Sequence, residues 1–126
     1  MSGLRTYLAP LVLCMFPQAS PAIAQTAPDP EWFAICTGRL SALMEHQFLT
    51  DGPASEATRA KRDAMADLLE AVALPDQVPH LMGLRVDAKW AYRALLDQAA
   101  FGPDPAHRAA RQARALGAAC TDMLLG

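Results

Sequence analysis

The sequence predicts an all-α fold: a four-helix antiparallel bundle, up-down-up-down, with one disulfide, preceded by a cleaved signal peptide. Three observations predict it. Four segments carry apolar residues at three- and four-residue spacing, and none alternates as a strand would. Short stretches holding proline, aspartate or glycine separate them. Two of the three cysteines, Cys36 and Cys120, lie near the start of the first segment and the end of the last.

Residues 1–24 read as a secretory signal. Arg5 supplies the positive end, Tyr7 to Phe16 a short apolar run, and Ala22-Ile23-Ala24 the small-x-small pattern before Gln25. Cleavage between Ala24 and Gln25 is expected. The apolar run is interrupted by Pro10 and is about half of the ~20 residues needed to cross the hydrocarbon core, which argues against an anchor. Cys14 follows Leu13 rather than a small residue, against lipid attachment, and no twin-arginine pair precedes the run. The general secretory route and a periplasmic or secreted location, in a bacterium, are the reading.

Removing residues 1–24 from the 126 leaves 102, enough for a single helical domain over residues 25–126. Only Arg5 is lost from the charges, which leaves 10 basic against 13 acidic side chains and a net charge of −3. An acidic domain of this kind is not a nucleic-acid binder. No membrane span is expected after signal removal.

The first helix starts at the Asp29-Pro30 cap-then-proline pair and runs to about Leu49, with Phe33, Cys36, Leu40, Leu43, Met44 and Gln47 on one face. Thr50-Asp51-Gly52-Pro53 ends it. The second starts near Pro53 to Ser55 and ends near Ala73, with an inner stripe of Ala57, Lys61, Ala64, Met65, Leu68 and Val72, Lys61 being the flaw. Arg59, Asp63 and Asp67 make a solvated ion-pair row.

The third runs from about Pro79 to Phe101, before Gly102. Leu81, Leu84, Ala88, Ala91, Leu95 and Ala99 form its stripe. The fourth opens with Asp104-Pro105 and buries Ala109, Ala113, Leu116, Cys120 and Leu124. Its alanines permit close backbone approach. In an up-down-up-down bundle the start of the first helix lies beside the end of the fourth. Cys36 and Cys120 are each about five residues from that end, level and facing, so a Cys36–Cys120 bridge is expected.

Chemistry has few candidates. The mature cysteines form no C-x-x-C, and the histidines His46, His80 and His107 show no Glu-x-x-His or His-x-x-x-His spacing. Met44/His46 and His80/Met82 have the soft character of copper ligands, but residues two apart on a helix diverge, and the two pairs fall at opposite ends of the bundle. Axial haem ligation fares no better, because His46 and His107 lie off the apolar stripes. Ser41 and Ser55 have no acid–base partner in view. No catalytic residue, metal ligand or cofactor is assigned.

The remaining signal is on the third helix. Met82, Val86 and Trp90 make a second apolar strip away from the main stripe, beside a basic row of Arg85, Lys89 and Arg93. Trp90 can be a lid on a small core or an anchor for a partner. The functional expectation is a non-catalytic exported protein that binds another protein through Val86, Trp90 and Arg93, as an inhibitor, immunity factor, chaperone or assembly accessory. The alternative is a small metal- or haem-handling bundle. His107, Arg111 and Arg114 form a second basic edge, on the fourth helix.

Overall fold

The structure is a computed structural model and describes residues 28–105 and 107–125. The expected signal and its Ala24–Gln25 cleavage point lie outside the described residues. Four helices follow one another: α1 (Pro30–Thr50), α2 (Gly52–Val72), α3 (Val78–Phe101) and α4 (Arg108–Leu125), with a 3-10 turn over Pro75–Gln77 before α3.

Caps set the helix starts. The Asp29 carboxylate accepts from the Glu31 N–H at 3.0 Å, with Pro30 at the first helical position. Asp51 alone separates α1 from α2. Its N–H donates to the Gln47 carbonyl at 2.6 Å, closing α1, and its carboxylate accepts from the Ala54 N–H at 3.1 Å, opening α2.

The chain alternates in direction. The end of α1 meets the start of α2, where the Ser55 hydroxyl donates to the Met44 carbonyl at 2.9 Å and the Thr58 hydroxyl to Gln47 Oε1 at 2.6 Å. Helix α3 returns parallel to α1, since Glu31 meets His80 and Glu45 meets Lys89 and Arg93. Helix α4 descends again and brings Cys120 to Cys36, with a Cα–Cα distance of 5.3 Å. The fold is therefore the antiparallel four-helix bundle with the Cys36–Cys120 disulfide.

Within it α1 is the centre. It packs against α2 on one side and α3 on the other, and α2 and α3 nowhere approach within 8 Å between Cα atoms. This position demands burial around much of α1. Phe33, Cys36 and Leu40 are buried on its large-residue face, while Ala34, Thr37, Gly38, Ser41 and Ala42 are buried as well. The hydroxyls of Thr37 and Ser41 donate to the carbonyls of Phe33 and Thr37, each at 2.7 Å, so neither is buried unsatisfied. Gly38 lies directly against the α3 backbone. A Cβ there would run into the Arg85 carbonyl and lie 3.0 Å from the Lys89 nitrogen.

Two stripes differ from expectation. On α2 the buried residues are Ser55, Thr58, Met65 and Leu69, whereas Ala57, Lys61, Ala64 and Leu68 are exposed. The helix is rotated from the expected face because its first two turns attach to α1 through hydroxyls rather than alkyl groups. On α3 the buried residues are Leu81, Tyr92 and Leu96; Leu84, Ala88, Leu95 and Ala99 are half-buried and Ala91 is exposed. Tyr92 turns the face, since its hydroxyl donates to the Ala113 carbonyl at 2.6 Å. Burial pushes its phenol above the ordinary pKa, with Arg39 pulling the other way, so it remains a donor.

The α4 start also differs. The helix opens at Arg108, not at Pro105. Asp104 caps from a distance: its carboxylate accepts from the N–H groups of Arg108 at 2.7 Å and Ala110 at 3.3 Å. His107, at φ 49°, turns the chain into the helix in a conformation that side chains other than glycine seldom adopt. Helix α4 buries Ala109, Ala113, Gly117 and Cys120.

Candidate functional site

Helix α3 meets Gly38 of α1 at Arg85 and Lys89 and carries an exposed apolar row beside that contact. At four-residue spacing it presents Val78, Met82, Val86 and Trp90. Met82 and Val86 are each 47% exposed and Trp90 is 61% exposed. Trp90 is thus no lid on the core of this chain. Four large apolar side chains in one exposed row exceed what scattered surface hydrophobics require.

The basic row beside this strip is partly consumed. Lys89 Nζ meets Glu45 Oε1 at 2.5 Å, and Arg93 Nη1 lies 3.6 Å from Glu45 Oε2 and its Nε 3.9 Å from Asp97 Oδ2. Glu45 therefore ties α3 to α1. These are half-exposed pairs, which hold geometry more than they add stability. The Arg93 side chain remains about half exposed despite these contacts.

The C-terminal end of α3 carries a second apolar group which sequence reasoning missed. Phe48 and Leu49 at the end of α1 and Phe101 at the end of α3 are all strongly exposed. With Arg59, Arg93 and Asp97 they border a cleft of about 490 Å³. Spacing alone marks Leu49 and Phe101 as helix ends and does not single out Phe48. Their adjacency depends on α1 and α3 being parallel neighbours, which no local pattern encodes.

The histidines stay apart. His80 Nε2 lies 2.9 Å from Glu31 Oε1 at the first turn of α1. His46 is fifteen residues further along α1, about 22 Å at ~1.5 Å per residue. The two Met/His pairs are therefore not brought together. Among the described residues no group of three or more His, Cys, Asp or Glu side chains is placed to hold a metal ion. Cys36 and Cys120 are joined to each other and buried. Asp104, whose carboxylate is engaged as a cap, is drawn below the usual carboxylate pKa: desolvation pushes it up, but the N–H groups of Ala109, Ala110 and Arg108, with His107, outweigh that. No described helix is long and apolar enough to cross a membrane.

Comparison of the chain with protein-family models, with curated proteins and with solved structures found no match.

Proposed function

We propose that this is an exported, non-catalytic helical protein that binds another protein through α3, with Val86, Trp90 and Arg93 as the centre of the contact. The observation that carries the reading is the exposure of Trp90 within the Met82–Val86–Trp90 row. Tryptophan and arginine are the side chains that most often dominate binding energy, and a rigid helix presents them without an ordering cost. Arg93 connects this row to the Phe48–Leu49–Phe101 cleft, so a partner helix or loop laid along α3 reaches both. Inhibition, immunity, chaperoning and assembly are the roles that such a surface serves.

Export is supported by the Ala22-Ile23-Ala24 pattern before Gln25 and by the disulfide, which persists in oxidising compartments. The test has two readings from one preparation. The intact mass of the exported protein should correspond to a chain starting at Gln25. Trp90→Ala should leave the thermal melt within about 0.5 kcal/mol of wild type, as surface substitutions do, and should abolish capture of a partner from the exported fraction. Unchanged capture would remove Trp90 from the interface. A large drop in melting temperature would make it a structural residue.

A further inference from the structure

The exposed apolar row of α3 does not stop at Trp90. Phe101 follows eleven residues later, on the same line of the helix to within ~20°, and borders the end cleft with Phe48 and Leu49. The row of Val78, Met82, Val86 and Trp90 thus leads into the cluster of Phe48, Leu49 and Phe101, and every one of these residues is between 46% and 83% exposed. From Val78 to Phe101 the strip is about 35 Å long at ~1.5 Å per residue. At ~150–250 Å² for a whole aromatic side chain, and rather less for an aliphatic one, these residues expose on the order of 800 Å². The largest apolar patch on a typical monomer is ~300–600 Å². One side of a stable protein–protein interface is ~800 Å².

The strip also carries its own complement. Gly83 is exposed on α3, with nothing within 4 Å of the place a Cβ would take. Trp90 lies seven residues further on, again within ~20° of the same line. A two-fold axis between Val86 and Asp87 exchanges these two positions when α3 is laid antiparallel to α3 of a second copy. Each Trp90 then covers the Gly83 of the other copy, and Val86 meets Val86 at the axis. The same register sets Phe101 level with the Pro75–Gln77 turn of the second copy, beside its exposed Leu74. A two-fold contact uses one patch twice, so knob and hole must lie on the same surface. The ionisable residue closest to the axis along α3 is Asp87, which is exposed and, among the described residues, in no salt bridge.

We infer that the α3 surface pairs with a second copy of this chain, as an antiparallel two-fold dimer with Trp90 of each copy seated on Gly83 of the other. The inference rests on the reading of Val86, Trp90 and Arg93 as a protein contact, and it names the partner. Area alone suits any protein; the Gly83–Trp90 spacing is what suits this one.

The experiment is sedimentation equilibrium of the purified exported protein from about 1 to 100 μM, a range that covers the weak limit for an interface of this size. A monomer–dimer equilibrium is expected. Trp90→Ala removes the knob and Gly83→Leu fills the hole, both at exposed positions. Each should weaken the dimer by about tenfold or more. In the dilute range, where every form is monomeric, neither variant should melt below wild type. Asp87→Asn removes two like charges that flank the axis and should tighten the dimer. The wild-type melting temperature should rise with protein concentration, and that of Trp90→Ala should not. A monomer at the highest concentration overturns the inference. So does a dimer that Trp90→Ala and Gly83→Leu leave intact, or one that Asp87→Asn weakens. A monomer that captures a different protein through Trp90 would overturn the second copy and leave the α3 contact standing, whereas a monomer without Trp90-dependent capture would remove both.

Discussion

Helices α1 and α4 are both rich in small residues, yet they are held by different means. In α1, Ala34, Gly38 and Ala42 recur every fourth residue and are all buried, Gly38 directly against the α3 backbone, while Phe33 and Leu40 fill the core. In α4 the buried residues are Ala109, Ala113, Gly117 and Cys120, and none carries a large alkyl group. Leu116 and Leu124 are only half-buried, and Met123 and Leu125 are exposed. Close backbone approach gains dispersion contacts, but little apolar area leaves water when the residue is alanine. Helix α4 depends instead on a covalent link at one end, a tyrosine hydrogen bond in the middle and a remote carboxylate cap at the start. Small residues make a tight interface only where large ones elsewhere on the helix supply the burial.

Cutting the covalent link is the most direct way to break this contrast. Cys36→Ser/Cys120→Ser releases a constraint spanning 84 residues of sequence, worth at most about 4–5 kcal/mol on the chain-entropy account. The melting temperature should fall sharply, and hydrogen exchange should accelerate in α4 well before α1. Protection of α4 equal to that of α1 in this variant would show that alanine packing alone suffices.

A smaller effect tests the other side. Gly38→Ala places a methyl against the Arg85 carbonyl and must separate α1 from α3, at a cost of about 1–3 kcal/mol by denaturant unfolding. Gly83→Ala is the control, because nothing lies within 4 Å of the added Cβ. It should stabilise by about 0.5–1 kcal/mol, as alanine does inside an exposed helix. Destabilisation by both would mean that the close α1–α3 approach is not what Gly38 provides.

The smallest effect concerns the α4 cap. The Asp104 carboxyl is depressed in the folded chain, so its stabilisation is present above the unfolded aspartate value of ~3.9 and is lost as pH falls through the folded value. Amide protection in the first turn of α4 should therefore decline below about pH 4. Asp104→Asn should show the reduced protection at neutral pH and little further change on acidification. A first turn equally protected at neutral pH in both proteins would remove the cap from the account of α4.

Helix number, order and direction were legible in the sequence, as was the disulfide, because proline and aspartate punctuation fixes segment lengths and the cysteines then fall level. The faces were less legible. A search for alkyl periodicity finds Phe33, Cys36 and Leu40, but it passes over Ala34, Gly38 and Ala42, whose contribution is to be absent from the space a neighbour occupies. It also misplaced the α2 face, where Ser55 and Thr58 are buried because α1 offers a carbonyl and a side-chain amide to their hydroxyls. Such pairings are tertiary and leave no period-3.6 trace. The Val86–Trp90 strip was visible because it departs from the main stripe of its own helix. The end cleft was not, since it is bordered by residues from three helices.

Asp51 has a kinetic meaning. One residue ends α1 and begins α2, and its three hydrogen bonds, to Gln47, Ala54 and Ser55, reach only four residues back and four forward. The α1–α2 hairpin therefore closes through local contacts, with almost no loop entropy to overcome, on the time scale of helix formation itself. The α3 pairing must instead wait for the whole of α2 to be traversed, and that of α4 for nearly the entire chain. Sequence separation thus ranks the pairings: the α1–α2 hairpin is the most local, α3 docks on it, and α4 closes the longest loop, to Cys36.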